Sequence, residues 1–217
     1  MVNYQELTLS NINSERFRHL KLLLFWPLFG LLFWLVERGG ITSQYYVMYT
    51  PLDSKIPFCE YFLIPYLFWF VFIAGMVIYS LLFDTETFTR FMKYVIITYS
   101  AALLIFFFFP TVQELRPIYF ERDNLFTRFL TEFYKFDTNT NVCPSLHVIG
   151  SLSVMFAAWN SRVFKTKGWK IAFGITAFMI SISTVFLKQH SVLDLLAALL
   201  ICLLAYLFVY PKKVRNT

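Results

Sequence analysis

Apolar residues in this chain fall into six long runs that are separated by polar segments. Each run is close to the roughly 17–25 residues that an α-helix needs to cross the hydrocarbon core of a bilayer. The pattern therefore predicts six transmembrane helices, over residues 20–36, 61–83, 91–109, 147–164, 169–187 and 191–210. The fourth run is the weakest, because its uninterrupted apolar core extends only over 148–159. A helix of that length is either short in the lipid or flanked by protein.

The composition agrees with a membrane protein, since 58% of the residues are hydrophobic, 21% are aromatic and only 15% are charged. It excludes a disordered chain, a collagen-like repeat and a disulfide scaffold. The net charge of +6 is attributed to cytoplasmic Lys and Arg and not to nucleic-acid binding. We predict one all-α, polytopic domain over 1–217 in the cell membrane. Its N-terminal segment, 1–19, and its tail, 211–217, are expected in the cytoplasm.

The longest polar loop, between the third and fourth spans, contains a helical pattern of its own. Its apolar positions are Leu125, Phe126, Phe129, Leu130, Phe133 and Tyr134. Either Asp123 or Asn124 is a suitable N-cap for this helix. The pattern predicts a short amphipathic helix in the outer interface of the membrane. It is either a structural lid on the spans, which we favour, or a rim that guides lipid towards a site.

Two short clusters beside the apolar runs contain the candidate chemistry. Pro144, Ser145, Leu146 and His147 precede the fourth run, and a proline followed by a serine is typical of a helix start. The free N–H groups at such a start can bind an anion. His147 would then face the bound anion from the first helical turn, although a single histidine in such a place more often has a structural role.

The second cluster pairs His190 with Asp194, which are one helical turn apart. A carboxylate that binds one imidazole nitrogen makes the other nitrogen a stronger nucleophile or base. The alternative is a buried acid that only stabilises the end of a helix. The distribution of Lys and Arg predicts that both clusters lie on the outer side of the membrane, together with Arg116 and Lys188. These two residues are either phosphate-binding cations or ordinary interface charges. By contrast, the outer loop over 37–60 shows no candidate chemistry.

Together these residues resemble the motifs of the type 2 phosphatidic acid phosphatase superfamily. That family combines a lysine followed after six residues by Arg-Pro, a Pro-Ser-Gly-His motif, and a Ser-Arg motif followed by a spaced histidine and aspartate. The matching positions here are Arg116, Pro117, Pro144, Ser145, His147, Ser183, His190 and Asp194. Three positions depart from the pattern: Phe109 replaces the lysine, Thr184 the arginine and Leu146 the glycine. Lys188, one helical turn after Thr184, is a candidate for the missing positive charge.

The resemblance implies a two-step reaction in which His190 is the nucleophile, Asp194 orients it and His147 is the general acid and base. It also implies that Arg116, Lys188, Ser145 and the backbone near Leu146 hold the phosphoryl oxygens. The expected substrate is a phospholipid or isoprenoid phosphate, without a metal ion or other cofactor. Water as acceptor would give a lipid phosphatase.

Two other functions stay open. A lipid alcohol as acceptor would give a phosphotransferase similar to inositol phosphorylceramide synthases, which the leucine variant at Leu146 also resembles. The replacement of the motif lysine and arginine by Phe109 and Thr184 is consistent with a non-catalytic protein that binds or transports phospholipid. The sequence does not determine the lipid or the oligomeric state. Cys59 and Cys143 both fall on the outer side, where a disulfide is allowed.

Overall fold

A computed structural model describes residues 4–40 and 44–210, and this part of the chain is almost entirely helical. Its α-helices are α1 (Phe25–Arg38), α2 (Pro51–Lys55), α3 (Leu63–Phe83), α4 (Thr85–Phe108), α5 (Leu125–Phe136), α6 (Leu146–Asn160), α7 (Lys167–Phe186) and α8 (Val192–Val209). Short 3₁₀ turns cover Tyr4–Glu6, Arg18–Leu24 and Glu60–Phe62. Two-residue strands β1 (Tyr46–Val47) and β2 (Thr111–Val112) form one parallel pair.

Five helical segments are long and apolar enough to cross a membrane. They are Arg18–Arg38, Glu60–Phe83, Thr85–Phe108, Lys167–Phe186 and Val192–Val209. The structure therefore confirms the helical class and shows helices of spanning length at five of the six predicted spans. The remaining apolar helix is α6, which has 15 residues, so its crossing of the membrane stays a prediction. The predicted cytoplasmic tail, 211–217, lies outside the described residues.

The short helix α6 occupies the centre of the bundle, where it packs against α3, α4, α7 and α8. Most of its side chains are buried, including Ser151 and Ser153. Each of these serines donates its hydroxyl to a backbone oxygen one turn earlier, at 2.7 Å, which satisfies the polar group inside the bundle. Because α6 is surrounded by protein instead of lipid, it does not need the length of a lipid-facing helix.

The predicted helix in the long loop is present as α5, and Asn124 is its N-cap. Asn124 accepts hydrogen bonds from the backbone of Phe126 and Thr127 and completes a capping box with Thr127. On its inner face Leu130 is fully buried, and the Tyr134 hydroxyl donates to the Leu187 carbonyl at 2.8 Å. This packing agrees with a lid on the bundle, whereas its position at the membrane interface stays a prediction.

The chain that leads into α6 is held by backbone contacts to β2. Asn141 N–H donates to the Thr111 carbonyl at 2.6 Å, and Cys143 N–H donates to Thr111 Oγ1 at 3.0 Å. The Cys143–Pro144 peptide bond is cis. Cys143 is a free thiol, as is Cys59, so the allowed disulfide is absent. These contacts fix where α6 begins relative to the rest of the bundle.

Candidate active site

A cavity of about 390 Å³ opens at the end of the bundle where α6 and α8 begin. Leu146 and His147 from the start of α6, and Gln189 and His190 from the turn before α8, form one side of it. The opposite side is formed by residues of α1 and α3 and by the segment that links α5 to α6. The two histidines that are far apart in sequence therefore face one enclosed space.

The start of α8 fixes the geometry between His190 and Asp194. Asp194 is fully buried, and its Oδ2 accepts from the Ser191 backbone N–H at 2.9 Å in a capping box. The same oxygen lies 3.1 Å from His190 Nδ1. A carboxylate without a proton can only accept, so a hydrogen bond across this contact requires the proton on Nδ1 and leaves the lone pair on His190 Nε2. The arrangement suits Nε2 for nucleophilic attack.

His147 is positioned by aromatic side chains of α3. Its ring stacks on Tyr66 at a centroid distance of 4.1 Å and lies 4.4 Å from the ring of Trp69. The His147 and His190 rings are 6.3 Å apart between centroids. At this separation the two rings are close to edge-to-face contact, and both of them line the same cavity. His147 is therefore placed to exchange a proton with a group that reacts at His190.

Several buried polar atoms around the cavity have no hydrogen-bond partner within the described residues. They are Asn141 Oδ1, Ser145 Oγ, His147 Nε2, Gln189 Nε2 and Asp194 Oδ1. Leaving such a group unpaired costs about 1–3 kcal/mol, so a cluster of them is uncommon in a protein interior. The cluster fits a site whose polar groups are completed by a ligand or by water.

A comparison with protein-family models matches the PAP2 superfamily over residues 90–217, which is more than half of the chain. The chain belongs to the PAP2 superfamily. Its members are generally phosphatases or phosphotransferases. The matched region contains both histidines and the aspartate of the candidate site. No curated protein and no solved structure matches the chain significantly.

In this PAP2 member Arg116 does not line the cavity, because its guanidinium is engaged with protein groups behind it. It donates to the carbonyls of Asp137 at 2.8 Å and Thr138 at 2.9 Å, and from Nε to Gln189 Oε1 at 3.1 Å. Its charge also lies 4.5 Å from the centre of the Tyr134 ring. Burial lowers the pKa of Arg116, and nearby Asp137 partly offsets that effect. Direct phosphate binding by Arg116 stays a prediction.

Lys188 is also turned away from the cavity. Its backbone has a positive φ of 56°, and its ammonium group donates to the carbonyls of Asp53, at 2.6 Å, and Ile56. Burial lowers the pKa of Lys188, while the charge of Asp53 raises it. The side chain thus connects the turn before α8 to the end of α2. A phosphate contact by Lys188 would require these hydrogen bonds to be exchanged.

Asp53 is a supporting residue that the sequence analysis missed, because the 37–60 loop showed no chemistry. Its carboxylate is buried and accepts from the Val192 backbone N–H at 2.8 Å and from Ser191 Oγ at 2.7 Å. The spacing of Thr50 and Asp53 is a capping-box signal for α2. That signal does not reveal the contact with α8, which joins residues 138 positions apart.

Two further groups, Glu37 and Cys143, affect the electrostatics around the dyad formed by His190 and Asp194. Glu37, which lines the cavity, accepts hydrogen bonds from Thr138, Thr140 and Asn141, the last at 2.6 Å. Burial raises the pKa of the Cys143 thiol to about 12, and the neighbouring charge of Asp194 contributes to the shift. The Cys143 thiol therefore stays protonated at neutral pH and can act only as a weak donor beside Asp194.

Proposed function

We propose that this PAP2 protein is a metal-independent lipid phosphate phosphatase that acts through a phosphohistidine at His190. The observation that supports the proposal most strongly is the 3.1 Å contact between His190 Nδ1 and a fully buried Asp194. Burying a carboxylate is costly unless it has a partner, and the partner here is the ring that faces the cavity. His147 lies across the same cavity.

In the first step His190 Nε2 attacks phosphorus, and the bond between phosphorus and the lipid oxygen breaks. His147 donates a proton to that departing oxygen. Asp194 keeps Nδ1 protonated and stabilises the positive charge that develops on the ring. In the second step His147 removes a proton from water, which attacks phosphorus. The bond to Nε2 then breaks, and inorganic phosphate leaves.

The phosphoryl oxygens need donors as charge shifts in the transition state. The N–H groups at the start of α6, near Leu146, are suited to this role. Ser145 has an unpartnered hydroxyl but is fully buried and does not line the cavity, so its contact with phosphate stays a prediction. Arg116 and Lys188 are retained as predicted phosphate-binding residues. In the described conformation they contribute positive charge from behind the wall of the cavity. We further propose that the cavity opens on the outer face of the cell membrane, with both termini in the cytoplasm.

A phosphotransferase that moves a headgroup phosphate to a lipid alcohol is the second candidate. It is favoured by the charge around the cavity, since Arg116 and Lys188 are engaged with protein groups while Glu37 and Asp137 line the wall. Burial raises the pKa of Asp137, although Arg116 partly opposes the shift. A less cationic site is better matched to a singly charged phosphodiester than to a doubly charged phosphomonoester.

The test is to incubate the purified protein with phosphatidic acid, isoprenoid phosphates and the phosphodiester phosphatidylinositol, with and without diacylglycerol or ceramide. Free phosphate and new lipid products are measured together. We expect free phosphate from the wild type and none from His190→Ala or His147→Ala. His19→Gln is a matched control, because His19 is the third histidine and bonds Tyr4 at 2.9 Å, away from the cavity.

Near-normal turnover in either active-site variant would contradict the mechanism, provided that size-exclusion chromatography shows folded protein. A new lipid product that depends on the acceptor would identify the phosphotransferase. Binding of lipid phosphate without either product would instead support the non-catalytic lipid-binding or transport protein.

A further inference from the structure

A second cavity, of about 320 Å³, lies beside the candidate active site and has an almost wholly apolar lining. Its walls are Trp26 of α1 and one face of α3. Trp69 and Phe70 line this groove and the active-site cavity alike, so the two spaces adjoin. The remaining lining residues are Ile73, Ala74, Val77 and Ile78.

The residues of α3 form two parallel rows, because positions four apart lie above one another on a helix. Trp69, Ile73 and Val77 are half-buried or buried and form the floor. Phe70 and Ile78 are exposed and form the rim, and the small side chain of Ala74 lies between them. The rim therefore has a notch at Ala74.

The groove has the length of a lipid chain within one leaflet. Nine residue steps from Trp69 to Ile78 span about 13 Å along a helix. Half of a hydrocarbon core of about 30 Å is roughly 15 Å. The groove starts at the cavity that holds His147 and His190 and runs along α3 away from it. A lipid with its phosphate in the cavity beside the two histidines would therefore have one chain at the mouth of this groove.

We propose that the groove between α1 and α3 binds one hydrocarbon chain of the substrate lipid and that Ala74 determines how far the chain can enter. The proposal rests on the proposed function, since it takes the phosphate to lie at His190. Chain binding in this groove holds the phosphate in register with the histidines. Lipid surrounds the protein on all sides, so the groove contributes through shape and not through the hydrophobic effect.

The test compares Ala74→Trp, which fills the notch, with Val71→Trp. Val71 is an exposed residue of the same helix that does not line the groove. The probes are phosphatidic acids with hexanoyl, decanoyl and palmitoyl chains. For Ala74→Trp we expect kcat/KM to fall by about tenfold or more with palmitoyl chains, because a displaced phosphate reacts slowly. Hexanoyl turnover in that variant, and all turnover in Val71→Trp, should stay near the wild type.

Equal losses for short and long chains in Ala74→Trp, or no loss for either, would overturn the proposal. If neither the wild type nor any variant releases phosphate, the proposed function fails, and the groove is tested by cross-linking instead. A palmitoyl lipid phosphate with a diazirine at the chain end is photolysed with His190→Ala, and the labelled peptides are mapped. The proposal is supported if the labels are concentrated around Ile78 and are lost in the double variant that combines His190→Ala with Ala74→Trp. Labels spread evenly over the lipid-facing helices contradict it.

Discussion

Gly150→Ala is expected to destabilise the bundle, because α6 passes α3 and α4 without space for a side chain. A β-carbon at Gly150 would lie 2.6 Å from Ile73 Cδ1, 2.6 Å from Trp69 Nε1 and 2.8 Å from the Tyr99 hydroxyl. Carbon atoms in contact are ordinarily about 3.5–4.0 Å apart, so each neighbour would have to move by about 1 Å. The Trp69 ring lies 4.4 Å from the His147 ring, so this movement reaches the candidate site.

The expected change in the free energy of unfolding follows from two opposing effects. Overpacking a core by one carbon costs about 1–3 kcal/mol. Replacing glycine by alanine inside a helix gains about 1 kcal/mol. Gly75→Ala on α3 isolates the second effect, since a β-carbon at Gly75 meets nothing within 4 Å. The difference between the two variants is therefore the steric cost, which corresponds to about 2–12 °C in thermal midpoint for a chain of this size.

The assay is thermal denaturation of both variants in the same detergent, in which the fraction of protein that stays monodisperse is measured at each temperature. Turnover is measured separately, at a temperature where both variants are folded. We expect a lower midpoint for Gly150→Ala than for Gly75→Ala, and a loss of turnover of about tenfold or more in Gly150→Ala alone. A midpoint for Gly150→Ala at or above that of Gly75→Ala, with wild-type turnover, would refute the reasoning.

Two further predictions concern the groups around the dyad. Asp53→Ala should lower the free energy of unfolding by about 2 kcal/mol or more, since buried donors including Ser191 Oγ lose their acceptor. Asp123→Ala, which removes an exposed ion pair, should cost much less; equal shifts in thermal midpoint would contradict this. The pKa of Cys143, about 12, predicts that maleimide labels Cys59 before Cys143 at neutral pH, as measured by mass spectrometry. Cys143 labelling should rise about tenfold per pH unit below that pKa, and a rate independent of pH would refute it.

Features that depend on local pattern could be predicted from the sequence. Five apolar runs correspond to helices of spanning length, and the periodicity of Leu125–Phe136 corresponds to α5, with Asn124 as its cap. The predicted pairing of His190 with Asp194 corresponds to a contact of 3.1 Å, although His190 lies in the turn before α8 and only Asp194 lies on the helix. These features need only neighbouring residues, and local rules describe them well.

Features that depend on distant contacts could not be predicted. Whether Arg116 faces the cavity is decided by Gln189, which is 73 positions away. Whether Lys188 replaces a missing cation is decided by the carbonyls at the end of α2, which lie more than 130 positions earlier. Neither partner has a sequence pattern that marks it as one. The position of a charged residue beside a motif therefore does not indicate whether its side chain faces the cavity or is bound to protein groups behind the cavity wall.

The division of the site between the two parts of the chain has a consequence for how the protein selects its substrate. The region that matches the PAP2 superfamily, residues 90–217, contributes His147, His190 and Asp194. The preceding region contributes the aromatic residues Tyr66 and Trp69 against His147, and the groove along α3. The proposed reacting groups thus lie in the matched region, whereas the cavity wall combines the segment between α5 and α6, in that region, with parts of α1 and α3, which precede it. Under the proposed function, changes in α1 and α3 should therefore alter which lipid is used, while the chemistry proposed for His190 is retained.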